Sequence, residues 1–122
     1  MKTLESFGWA SLLALGMAAL PSLPVAAQSA QEVIQTGLEA YAAGEYEAAA
    51  AAWQQLIELQ PDNPDAHNNL GATLYYLGDL DGAAAAYQQA IALDPDSATI
   101  YNNLGVVLVE LAAYDEAIAA YQ

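Results

Sequence analysis

The run 67–95, which opens His67-Asn68-Asn69-Leu70-Gly71 and closes Leu93-Asp94-Pro95, lies in one complete copy of a 34-residue unit. When the chain is slid against itself by 34, its punctuation falls into register. Gly37, Gly71 and Gly105 align, as do Ala49, Ala83 and Ala117, the aromatics Trp53, Tyr87 and Tyr121, and the pair Pro61 and Pro95. The tightest match sets Asn68-Asn69-Leu70-Gly71 against Asn102-Asn103-Leu104-Gly105. A fixed period of this size marks a solenoid, in which each unit buries its apolar face only by stacking on a neighbour.

Working outward, the units span about 30–63, 64–97 and 98–122. In the first, a helix near Gln31–Ala43 carries Val33, Ala40 and Tyr41, and Gly44 stops it. Its second helix sets Tyr46, Ala49, Trp53, Leu56 and Ile57 at spacings of three and four, one face of an amphipathic helix. Pro61 cannot continue that helix, and Asn63 can cap the next with Pro64 at its first position. The second unit repeats the plan with His67, Leu70, Gly71 and Leu74, a turn at Gly78-Asp79, then Leu80, Ala83, Tyr87, Ala90, Ile91 and Leu93. The third places Tyr101, Leu104, Gly105 and Leu108 on its first helix. It is expected to turn at Ala112-Ala113 and to begin a second helix with Tyr114, Ala117, Ile118 and Tyr121. The sequence stops at Gln122 with that helix unfinished and no polar cap. Solenoids need such a cap, so the reading expects a fragment of a longer protein, or an end covered by a partner or by a second copy.

Residues 1–27 stand outside the repeat. Lys2 makes a short basic start, Trp9 to Leu20 is an apolar run, Pro21 and Pro24 break it, and Val25-Ala26-Ala27 offers small residues for cleavage. That layout reads as a secretory signal peptide, and the two prolines argue against a spanning helix. The repeats are therefore expected to be exported: periplasmic, luminal or secreted. An uncleaved anchor, the rival reading, would tether them to a membrane.

Lys2 is the only Lys or Arg, against fifteen acidic residues; without Glu5, fourteen carboxylates remain beyond residue 27 and no Lys or Arg. Such a surface repels phosphate backbones and anionic headgroups, which disfavours nucleic acid and peripheral membrane binding. It leaves neutral or basic protein partners, or serves solubility alone. With no Cys there is no thiolate nucleophile, thiolate metal site or disulfide. His67, the only histidine, reads as a packed imidazole, and one His with surface serines assembles no catalytic triad. The acid pairs Asp62/Asp65, Asp79/Asp81 and Asp94/Asp96 read as caps and helix-start charges rather than calcium loops. No cofactor, metal or small-molecule substrate is expected.

These residues resemble the tetratricopeptide repeat, whose pattern sets a large residue, Leu-Gly and a second large residue on one helix, then Ala, an aromatic, Ala and Pro. The middle unit answers with His67, Leu70-Gly71, Leu74, Ala83, Tyr87, Ala90 and Pro95; the third with Tyr101, Leu104-Gly105, Leu108, Ala117 and Tyr121. The first departs, with Thr36, Ala40 and Leu56 at three of the positions. The resemblance implies an all-α, right-handed solenoid of antiparallel helix pairs whose concave groove binds a peptide or protein segment, without catalysis. Its groove positions carry over as Ile34, Leu38 and Tyr41; Asn68, Ala72 and Tyr75; and Asn102, Val106 and Val109. Asn68 and Asn102 would then bracket a peptide backbone with their amides. Family members that grip a C-terminal carboxylate use Lys and Arg in this groove, and this chain has none there. Two other roles stay open: a structural segment self-associating through the uncapped end, or the accessory N-terminal region of a longer enzyme or assembly factor.

Overall fold

The computed structural model describes residues 28–121, so the segment read as a signal peptide lies outside the described residues. Five helices follow one another: α1 (Ala30–Ala42), α2 (Tyr46–Leu59), α3 (Pro64–Tyr76), α4 (Leu80–Leu93) and α5 (Ala98–Tyr121). No strand occurs among the described residues. Each helix packs on the next, and α3 also touches α5. This is an all-α solenoid.

Local chemistry sets the helix ends. The Ser29 hydroxyl accepts the Glu32 amide (3.2 Å) before α1, and Asn63 Oδ1 accepts the Asp65 amide (2.9 Å) before α3, with Pro64 as its first residue. Asp79 Oδ1 accepts the Gly82 amide (2.9 Å) before α4. Each cap satisfies an amide that the first helical turn leaves without a partner. The turns inside units one and two are the same device 34 residues apart. Gly44 and Gly78 take φ of 76° and 83°, where an L side chain is strained. The amides of Glu45 and Asp79 reach back to the carbonyls of Ala40 and Leu74 (both 2.9 Å), and those of Gly44 and Gly78 to Tyr41 and Tyr75 (3.1 and 3.0 Å). This pair of bonds is a Schellman motif, closing the helix end on a left-handed glycine.

The third unit departs from the sequence reading. Ala112-Ala113 makes no turn, and α5 runs unbroken from Ala98 to Tyr121. The reason lies at position 112, where alanine stands in place of Gly44 and Gly78. Alanine strains at positive φ and is the best helix former, so nothing stops the helix there.

Two apolar cores follow the repeat. Val33 and Ala40 of α1, Ala49, Ala52, Trp53 and Leu56 of α2, and Ala66 of α3 form the first. Ala83, Ala84, Tyr87 and Ala90 of α4 with Ile100 and Val107 of α5 form the second. Ala72, Leu74 and Tyr75 of α3 pack half-buried against the second, so each core joins the two helices of a unit to the first helix of the next. Glycine permits the close approach within a unit. A Cβ on Gly37 would stand 2.8 Å from the Trp53 ring, and one on Gly71 would stand 2.7 Å from the Tyr87 ring. Among the polar atoms of the cores, the Trp53 indole N–H is buried without a hydrogen-bond partner among the described residues.

Candidate peptide groove on the first helices

The first helices of the three units, α1, α3 and α5, meet along one surface, and each observed cross-link joins residues 35 apart. The rings of Tyr41 and Tyr76 meet edge to face at 5.8 Å. Asn103 Nδ2 donates to Asn68 Oδ1 (3.1 Å), and the Tyr75 hydroxyl donates to Glu110 Oε1 (2.5 Å). Equivalent residues are 34 apart, but the residues that face one another are on opposing edges of neighbouring helices. The facing partner is therefore the residue after the equivalent one.

Between these helices lies a cavity of about 290 Å³, lined by Tyr41, Ala72, Tyr75, Tyr76, Tyr87, Asn103, Val106 and Val107. A second, of about 160 Å³, is lined by Leu38, Tyr41, Trp53, Asn69 and Ala72. Of the groove positions carried over in sequence, Tyr41, Ala72, Tyr75 and Val106 come together in the larger cavity, and Leu38 joins the smaller. Ile34 packs half-buried against the first core. Asn68 is engaged by Asn103, not paired with Asn102. Asn102 and Val109 are exposed and line neither cavity.

Tyr76, Asn103 and Glu110 were not among the groove positions expected from sequence. Their signal was the offset: each lies one position beyond the 34-residue equivalent of a residue on the preceding first helix. Tyr46 was read only as part of the packed face of α2. It stacks on Tyr76, with ring centroids 5.1 Å apart and planes 9° from parallel, while Tyr41 stands edge-on to it at 5.5 Å. Tyr75 meets Tyr76 edge to face at 5.5 Å. These offset and edge-on pairings are those that aromatic quadrupoles favour.

Three phenols here, those of Tyr41, Tyr75 and Tyr87, hold their protons more tightly than usual. Burial, then the Tyr76 hydroxyl, push the Tyr41 pKa up. The Glu110 carboxylate, accepting its hydrogen bond, raises that of Tyr75. Burial pushes Tyr87 up to about 12. The surface thus offers rings, hydroxyls and amides, with the Glu110 side chain hydrogen-bonded at its edge.

His67 lies away from this cluster; its Nε2–H donates to the Pro61 carbonyl (3.2 Å), tying α3 to the α2–α3 loop. No group of three or more His, Asp or Glu gathers at metal-binding distance among the described residues, and none of their helices is long and apolar enough to cross a membrane.

Among the described residues, five helices stacked in 34-residue units, with glycine–aromatic contacts inside each complete unit, define a helical repeat protein. The chain belongs to the tetratricopeptide repeat family: the TPR repeat model matches residues 37–78 and 73–112. No curated protein matches it. Among solved structures, the TPR2B domain of yeast Sti1, in a complex with pHsp70, is similar at 23% identity and a TM-score of 0.67, covering 74% of this chain and 72% of that one. The first TPR domain of Spaghetti (RPAP3), bound to the HSP90 peptide SRMEEVD, is similar at 18% identity and a TM-score of 0.66, covering 69% and 67%. An O-GlcNAc transferase of Thermobaculum terrenum is 31% identical with a TM-score of 0.62 over 73% of this chain, which spans only 17% of the enzyme.

Proposed function

We propose that this protein is a non-enzymatic interaction module that holds an extended segment of a partner protein across α1, α3 and α5. The observation that carries this reading is the cavity of about 290 Å³ at which all three first helices contribute side chains. A concave site with an apolar lining and a few placed polar groups is the common form of a binding site. Two similar folds were solved in complex, one with pHsp70 and one with an HSP90 peptide, which supports a peptide as occupant. The partner here is of different charge. The peptide SRMEEVD carries three acidic residues and one basic, whereas residues 28–122 of this chain offer no Lys or Arg to receive an acidic tail. A neutral or basic segment is therefore the fitting occupant, met outside the cytoplasm if residues 1–27 direct export.

Selection of a random peptide library on the full chain, followed by amide-shift mapping of the recovered peptides, tests this. Shifts centred on Leu38, Tyr41, Ala72, Tyr75 and Val106 are expected. Recovered peptides that move only the outer faces of α2 and α4 would sink the reading.

A second reading has its own observation. The face of α5 bearing Tyr101 and Leu108, 48% and 46% exposed, is uncovered among the described residues, and a second copy stacking there would cover it. Sedimentation velocity over a wide concentration range separates the two, because a chain that stays monomeric does not stack.

A further inference from the structure

The tyrosines of the groove have a chemistry of their own. We propose that the cavity edged by Tyr41, Tyr75 and Tyr76 is a cation pocket that seats the guanidinium of an arginine in the bound segment, with Glu110 as its counter-charge. This assignment rests on the groove being a peptide site.

Three observations converge on this. The first is ring geometry. Tyr76 is 58% exposed and is held in place by stacking on Tyr46 and by edge contacts with Tyr41 and Tyr75. A surface phenol fixed from three sides presents its π system at little further entropic cost. The second is the carboxylate. Glu110 Oε1 accepts the Tyr75 hydroxyl, which anchors the side chain beside the cavity. An ionised carboxylate has about four lone-pair positions, so that bond leaves Oε2 for a second donor. A planar guanidinium both stacks on aromatic faces and pairs with a carboxylate, which lysine does less well. The third is complementarity. The repeats carry fourteen carboxylates and no Lys or Arg, so no internal cation competes for the rings, and the field draws a cationic segment in. An apolar occupant would fit the rings but would gain nothing from Glu110 or from the field. A second copy of this chain beyond residue 27 has no Lys or Arg to offer.

The probe is a blocked heptapeptide, Ala-Ser-Ala-Arg-Ala-Ser-Ala, beside its citrulline and lysine counterparts; citrulline keeps the shape of arginine and removes the charge. Each is titrated against the full-length chain while amide and tyrosine-ring resonances are followed. The arginine peptide is expected to shift Tyr41, Tyr75 and Tyr76 and to bind about fivefold or more tighter than the citrulline peptide, with lysine between them. Tyr76→Leu, which keeps every charge, and Glu110→Gln, which keeps every ring, should each erase most of that preference. Both sites are at the surface edge of the groove, and circular dichroism melts confirm that each variant folds. If arginine and citrulline peptides shift the groove equally, the cation pocket is overturned while the groove remains a peptide site. The pocket is also overturned if the arginine preference survives Tyr76→Leu, which would make it diffuse attraction to an acidic surface. Shifts confined to the outer faces of α2 and α4 overturn the pocket and the groove together.

Discussion

Units one and two and unit three carry the same Leu/Thr-Gly and aromatic punctuation, yet they use it differently. In the first two, the glycine of the first helix meets an aromatic ring of the second: Gly37 against Trp53 and Gly71 against Tyr87, with no room for a methyl group. In the third, a Cβ on Gly105 would meet nothing within 4 Å. The same contrast runs along the helix. Ile100 and Val107 of α5 are buried against α4, as Ala66 is against the first core. Tyr101 and Leu108, on the forward side of α5, are exposed. A first helix therefore has two working faces. One packs back on the preceding unit and is filled in unit three; the other packs forward on its own unit's second helix and is empty there. The glycine of this repeat is thus a spacer only when a ring comes to meet it.

This contrast can be broken or sharpened by substitution, and the largest effect is expected at the ring that fills unit one. Trp53 is 1% exposed, and Trp53→Ala should cost about 3–5 kcal/mol in urea unfolding through the cavity it leaves. A loss below about 1 kcal/mol would show that the first core is not held by this ring.

A pH titration addresses the equivalent ring in unit two. Tyr87 has its pKa raised from 10.0 to about 12 in the folded chain, chiefly by burial. Because the folded value lies above the unfolded one, its contribution is complete below about pH 10 and is lost as pH rises towards about 12. The urea midpoint should hold steady to about pH 9.5 and then fall, by the equivalent of roughly 2–3 kcal/mol at pH 12, part of it removed in Tyr87→Phe. An alkaline slope that Tyr87→Phe leaves untouched would assign the loss to other phenols.

Gly71→Leu forces a side chain into the Tyr87 ring and should cost about 1–3 kcal/mol by overpacking. Comparable losses from Gly105→Leu would mean that unit three is packed like its neighbours. The smallest effect has the opposite sign. Gly105→Ala meets no atom and replaces the poorest non-proline helix former with the best, so thermal melting should show a gain of up to about 1 kcal/mol.

How much of the molecule is legible in sequence depends on the reach of each residue. Asn63 with Pro64, Ser29 ahead of Ala30, and the glycines at 44 and 78 act within one helical turn of themselves, so their capping and turning roles can be read locally. The buried stripe Ala49, Trp53 and Leu56 is likewise a matter of spacing along a single helix. The groove was legible only in part. Tyr41, Ala72, Tyr75 and Val106 were implied by the family resemblance, carried over copy by copy onto the first helices. Tyr76, Asn103 and Glu110 needed the distance and rotation between units, which set the offset between facing residues at 35 rather than 34. The expected turn at Ala112-Ala113 shows the limit from the other side, because the repeat period outvoted what the alanines themselves prefer.

From its sequence alone, then, the chain determines a 34-residue helical repeat, its helix ends, its acidic surface and the absence of any Lys or Arg beyond Lys2. These rest on chemistry within a turn or two of each residue, or on composition. Only the tertiary structure decided that α5 runs unbroken, that Gly105 spaces nothing, and that four tyrosines and Glu110 gather at one edge of the groove. Those outcomes depend on which helix stands beside which, and at what angle. Contacts between units bring together residues far apart in the chain, where local periodicity carries no information about which edge will face which.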